Sequence, residues 1–315
     1  MKNRIWMVLG TLALCCVLLL GSIKSSWATQ KIADFKTRLP IETLLAQVRW
    51  YTPPGVPVEG CSLRPKFNPP PINIEITFVP GQLTLDRFRK SSDPNSIASL
   101  PDRLTQPLTQ PTPNYTPREE IALANPTNFG ERYRLDVYGR PAVNDPIIVL
   151  HETVIPAWQT VKIFQTPHPS SGQASYHALI KQDGTIFYLV PPDKRAFGAG
   201  DSSFGSEAVT TNRQFPSAVN NFAYHISFES PPDGRGNGNV HSGYTDYQYW
   251  SAAWLAAKTG VPDNRITTHK AVDRSGSRKD PRSFDSSKFF QILNQFPKTQ
   301  EVVIGCPVVS TEKPV

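Results

Sequence analysis

Two imidazoles and one carboxylate stand in this chain with a shared chemical potential: His151, His269 and Asp280. His151 ends the apolar run Ile147-Ile148-Val149-Leu150. His269 is followed, after a Gly/Ser loop, by Asp280, which the cations Arg278 and Lys279 precede. Two histidines and a carboxylate leave a fourth tetrahedral position open, the donor set of a catalytic zinc site rather than a structural one. Their separation excludes a single-helix H-E-x-x-H motif. Any such site must be assembled by the fold.

The elements that would assemble it are legible as an α/β pattern from about residue 119 onward. Ile147 to Leu150 is a short, wholly apolar run, the mark of a buried strand. Ser175 to Lys181 and Thr185 to Val190 flank Asp183-Gly184 and predict a hairpin. Asn221 to Glu229 and Ile266 to Thr268 are further strands. Thr245-Asp246-Tyr247-Gln248 is a capping box that opens a helix with Tyr247, Trp250, Trp254 and Ala257 on its buried face. Gly260 and Pro262 stop it. Asp285 or Ser286 caps a last helix with Phe289, Phe290, Leu293 and Phe296 inward. The expected fold class is mixed α/β: a central mixed β-sheet flanked by helices.

The flanks read differently. Lys2 and Arg4 precede the apolar run Ile5 to Gly21, and Ser26-Trp27-Ala28 ends as a secretory signal ends. Residues 1–28 are therefore expected to be a signal peptide; retention as a membrane anchor through residues 5–23 is the alternative. Residues 29–118 are expected to be a proline-rich extended arm, because proline fixes φ and removes a donor; only Ile72 to Val79 alternates like a strand. Residues 119–300 form the α/β domain and 301–315 a tail. Without residues 1–28 the chain carries 30 basic against 26 acidic side chains. That mild excess suits an anionic polymer such as a cell wall, or is ordinary solubility charge. No Lys/Arg stripe interleaved with aromatics is present, so nucleic acid is not an expected partner. Cys61 and Cys306 remain after removal of the signal, and an even pair in an oxidising compartment points to a disulfide. A monomer in the periplasm or outside the cell is expected.

Five segments, in order, carry a resemblance: Val149-Leu150-His151-Glu152-Thr153; Ser175-Tyr176-His177 through Asp183-Gly184; Pro192-Asp193 through Ala199-Gly200; Asn221 to Glu229; and Thr268-His269 through Asp280-Pro281. Together, over about residues 120 to 298, they resemble the zinc-dependent N-acetylmuramoyl-L-alanine amidases of the amidase-2 and peptidoglycan-recognition-protein superfamily. The resemblance implies Zn²⁺ held by His151, His269 and Asp280, a peptidoglycan substrate, and hydrolysis of the amide between N-acetylmuramic acid and L-alanine. It also implies an oxyanion donor at Tyr176 and a stabilising cation at Arg278, with Lys279 alongside. His177 is then packing or support, on the argument that neighbouring strand residues face opposite ways.

The chain departs from the pattern at two places. Ser227 stands where some members carry a glutamate base, which leaves Glu229, two residues on, as the candidate. Phe197-Gly198 replaces Trp-His and implies a differently shaped groove. His168, His225 and His241 have no partners at useful spacing. The rival to an enzyme is a non-catalytic peptidoglycan-binding module of the same superfamily.

Overall fold

The computed structural model describes residues 61–65, 83–90, 114–168 and 172–305, all within the unit Val48–Val315. The expected signal, the strand at Ile72 to Val79 and Cys306 lie outside these residues. Eight strands are described: β1 (Glu119–Ile121), β2 (Phe129–Glu131), β3 (Ile147–Glu152), β4 (Ala178–Ile180), β5 (Ile186–Tyr188), β6 (Lys194–Ala196), β7 (Ala223–Phe228) and β8 (Ile266–Thr268). Six form one sheet in the order β1-β5-β4-β7-β3-β8, and β2 pairs with β6 in a separate ribbon. Only β4 and β5 are antiparallel in the large sheet; β3 lies between β7 and β8, parallel to both. A strand covered on both faces needs apolar residues at every position, and β3 is buried throughout.

Among the described residues, four helices flank the strands: α1 (Ala157–Gln165), α2 (Asp246–Thr259), α3 (His269–Val272) and α4 (Ser286–Leu293). Strand alternation divides the core. Ile148, Leu150, Ile226 and Phe228 face α2 and α4, meeting Leu255, Phe289 and Leu293. Ile147, Val149 and Ala223 point to the other side, against Ala199, Val219 and Val272; Leu179 there packs with Ala157 and Phe164 of α1. The odd-numbered residues of β3 and β7 thus share the face that carries His151.

The capping box forms as the motif requires: Gln248 N donates to Thr245 Oγ1 at 3.2 Å, and Thr245 N donates to Gln248 Oε1 at 3.1 Å. Gly260 ends α2 in the left-handed region at φ 66°. The buried face of α2 is wider than its pattern predicts. Tyr249, Ala252, Ala253 and Leu255 are buried, whereas Tyr247 and Trp250 are only partly covered. The helix is enclosed between the sheet and α4, so one apolar stripe does not describe it. The hairpin turns at Gly184, φ 84°, but its strands are three residues each rather than six or seven.

The expected boundary at residue 119 is too late. Phe88, within the proline-rich stretch, is 1% exposed and stacks on Tyr188 with ring centroids 5.2 Å apart. Arg89 beside it forks onto Glu119 and reaches Glu301. Part of the arm therefore completes the main core. Proline content excluded long helices there, but a single turn with one aromatic anchor needs none.

Candidate active site

His151 is the fifth residue of β3, in register with Ser227 of β7. On the opposite flank β8 runs directly into α3, so His269 is the first residue of a helix that Thr268 caps through Ala271 N at 3.2 Å. Lys270 N donates to Asp280 O at 2.9 Å, closing the intervening loop and returning Asp280 to the histidines. The site sits where the parallel strands β3 and β8 end, the crevice at which open α/β sheets bind ligands.

The structure brings the three together. Their donor atoms all lie within 4.8 Å of one another. Asp280 Oδ2 is 3.0 Å from His269 Nδ1 and 3.3 Å from His151 Nδ1. His151 is wholly buried, and burial lowers its pKa to about 4, so its imidazole is neutral at pH 7. For Asp280 burial acts upward, but hydrogen bonding and charge from the two histidines prevail and hold its carboxyl well below the usual range. Neutral imidazoles and an ionised carboxylate are the forms that bind zinc. His151 Nδ1 is moreover a buried atom whose near neighbour is Asp280 Oδ2 at 3.3 Å, a contact too poorly aligned to satisfy it as a hydrogen bond. On donor chemistry and on that orphaned atom, the residues fit the ion.

Tyr176 abuts the cluster, its ring centroid 4.7 Å from that of His151. Burial raises its pKa, so the phenol keeps its proton. His177 does not join the cluster: its ring stacks on Tyr224 at 4.7 Å and on His225 at 5.7 Å, and its Nδ1 accepts from His225 N at 2.9 Å. The alternation argument for separating His177 from Tyr176 does not apply, because β4 begins only at Ala178 and both residues precede the regular strand. Arg278 is exposed, yet its charge reaches both His151 and Tyr176. Lys279 is directed elsewhere, donating to Asn239 Oδ1 at 2.7 Å.

Glu229 has a different occupation from the base role considered for it. Its Oε1 accepts from Ala157 N at 2.9 Å and its Oε2 from Gln182 N at 3.1 Å. The cap position of α1, Pro156, offers no side-chain acceptor. Glu229 supplies one from a distant strand and places negative charge at the helix N-terminus, where it is favoured. Ser227, at the strand position opposite His151, has a buried hydroxyl without a partner.

Three residues gain partners that spacing did not reveal. His225 Nδ1 is 2.9 Å from His151 Nε2. His241 Nε2 is 3.1 Å from Glu152 Oε2. Glu152, immediately after His151, is 3% exposed and receives Arg282 in a fork, with Arg282 N and Ser230 Oγ adding hydrogen bonds at 3.1 and 3.0 Å. Gly198 borders the ring of His225: a Cβ there would lie 2.5 Å from its Nδ1. The glycine makes room for an imidazole, beyond any effect on groove shape. Among the described residues, His168 by contrast engages through its backbone N–H, which donates to Thr127 Oγ1 at 2.8 Å.

A mixed sheet thus gathers His, His and Asp beyond the ends of its parallel strands, a donor set that could hold a metal ion. Residues 143–283 match the family Amidase_2, described as N-acetylmuramoyl-L-alanine amidase. The chain is accordingly of the N-acetylmuramoyl-L-alanine amidase class. Similar solved structures include a Se-Met AmpD derivative, 24% identical over 56% of this chain and 94% of that one, with a TM-score of 0.40. Another is the N-acetylmuramoyl-L-alanine amidase LysC from Clostridium intestinale URNW, at 19%, 57%, 99% and 0.34 in the same order. A third is AMPDH3 from Pseudomonas aeruginosa in complex with anhydromuramic pentapeptide, at 20%, 52%, 60% and 0.36. No curated protein matches the chain.

Proposed function

We propose that the protein is a zinc-dependent hydrolase of the amide between N-acetylmuramic acid and L-alanine in peptidoglycan. The observation that carries this is the convergence of His151, His269 and Asp280 within a domain of the amidase family. When bound there, zinc would polarise the scissile carbonyl and lower the pKa of a water. The chain's own groups divide the remaining work. His151 offers a neutral, directional imidazole, His269 supplies a second ring nitrogen, and Asp280 brings the negative charge. Tyr176, protonated and beside His151, donates its O–H to the oxygen on which negative charge develops. Arg278 adds a positive field at the solvent side of the same position.

One observation favours a second reading, a peptidoglycan-binding module without catalysis. The middle strand presents Ser227 toward His151, and the carboxylate of Glu229 is engaged by two backbone amides. Mass analysis of products after incubating the purified protein with sacculi, with and without chelator, separates the two. Chelator-sensitive release of free stem peptides supports the hydrolase. Binding to sacculi with no released peptide supports the module. Zinc content tests the ligand set: about one ion per chain is expected, lost in His151→Ala and His269→Ala but kept in His168→Ala.

Export is part of the proposal and rests on Lys2, Arg4 and the apolar run that follows. A mature protein beginning at Thr29 is expected on N-terminal sequencing, and recovery of residue 1 from the cell envelope would favour a retained anchor. Among the described residues, no helix is long and apolar enough to cross a membrane.

A further inference from the structure

We infer that His225 is a positioning residue for His151: its Nδ1 accepts the Nε2–H of His151 and so directs the Nδ1 lone pair of His151 into the metal site. The inference rests on the zinc reading above and adds a residue to which that reading assigns nothing.

The geometry is specific. Both rings are fully buried, and the contact is 2.9 Å between His151 Nε2 and His225 Nδ1. A histidine that ligates through Nδ1 carries its proton on Nε2, and the partner of that N–H fixes ring orientation and tautomer. Here the partner is another imidazole. β3 and β7 are in register at Val149 and His225, so His225 rises from the neighbouring strand on the face that carries His151.

His225 is itself held from below. Its backbone N–H donates to His177 Nδ1 at 2.9 Å, and the two rings are nearly parallel at 8°. His177 Nδ1 is thereby an acceptor, which leaves Nε2 protonated and able to donate to Lys194 O at 3.1 Å. On the remaining side Gly198 clears the space that the ring fills, since a Cβ would come within 2.5 to 2.9 Å of three ring atoms.

The other nitrogen of His225 argues for purpose. Nε2 is buried without a hydrogen-bond partner, an arrangement that disfavours folding. A leucine of similar volume would avoid that penalty. The imidazole is retained with one orphaned nitrogen because its other nitrogen meets His151.

The test is zinc affinity, measured by competition with a chromogenic chelator on the full chain. His225→Leu is expected to weaken zinc binding about 10- to 100-fold. His225→Asn, which keeps an acceptor near the Nδ1 position, should recover most of the loss. Gly198→Ala should weaken binding with His225 intact, and combined with His225→Leu should add nothing to it. A folded His225→Leu protein with zinc affinity within about threefold of the parent overturns the inference, on the same scale of effects. If the parent itself binds no zinc, the metal site fails and this inference falls with it; equal binding by parent and variant sinks the inference alone. Should the variants not fold, ring ¹⁵N NMR of the zinc-loaded parent decides: an unprotonated Nδ1 on His225 is expected, and a protonated one refutes the contact.

Discussion

Arg282→Ala should be among the most damaging single changes in this domain, although the residue touches none of the three donor side chains. Its guanidinium uses every N–H. Nε and one Nη2 proton meet the two oxygens of Glu152, Nη1 donates to Gly236 O and Gly238 O at 3.2 and 2.7 Å, and Nη2 also reaches Gly234 O. Truncation leaves the Glu152 carboxylate, wholly enclosed, with only His241, Ser230 and a backbone N–H. Removing one partner of a buried pair costs about 3–5 kcal/mol, most of it from the stranded charge. Against a total stability of roughly 5–15 kcal/mol, that is a large part of what holds the fold. Urea unfolding of the metal-free protein measures it. Arg282→Lys, which keeps charge without the fork, should fall between parent and alanine variant. Glu152→Gln combined with Arg282→Met should cost less than the two singles together, by about 1–3 kcal/mol. A loss below about 1 kcal/mol for Arg282→Ala would refute the reasoning, since an enclosed carboxylate cannot lose its cation so cheaply.

The other expectations are shorter. Tyr176→Phe should keep zinc and fold while turnover drops on the order of 100-fold; unchanged turnover on muropeptides removes the phenol from the mechanism. Metal-free protein should lose stability as pH falls from about 6.5 to about 4, because His151 has its pKa depressed to about 4 by burial and unfolding lets it take a proton in that window. The buried His177 and His225 shift the same way, so urea midpoints that stay flat across the window would contradict neutral burial. Cys61 is expected to pair in an oxidising compartment. Pairing with Cys306, which would close a loop of about 245 residues and stabilise by up to about 5 kcal/mol, predicts no titratable thiol at either in denatured, unreduced protein; two thiols refute it.

Local signals carried the fold further than the site. The capping box, the glycine stop of α2 and the apolar run of β3 each act within a few residues, and each was readable as such. The meeting of His151, His269 and Asp280 was readable only through ordered motifs, since nothing in spacing brings residue 151 to residue 269. His225 and His241 have no near neighbours of useful chemistry in sequence, and their partners lie 74 and 89 residues away. Glu152 carries a usable signal in sequence: a carboxylate inside a strand buried on both faces demands a cation, and Arg282 follows Asp280 by two. The boundary at residue 119 failed for a related reason, because composition weighed the arm's prolines and not its single anchoring aromatic.

The loop between His269 and Asp280 can be viewed as a handle rather than a part. Its base is tied by Lys270 N to Asp280 O, and Asp273 stitches its interior by accepting from Ser275 N and Arg278 N. Its tip, Gly276, has φ 71° and nothing within 4 Å of the position a side chain would occupy. Lengthening a closed loop costs little, about 0.6 kcal/mol per doubling. The tip is thus a point at which foreign sequence, a reporter peptide or a second sugar-binding module, could be grafted within a few residues of the chemistry while the knot at 270 and 280 keeps the donors in place.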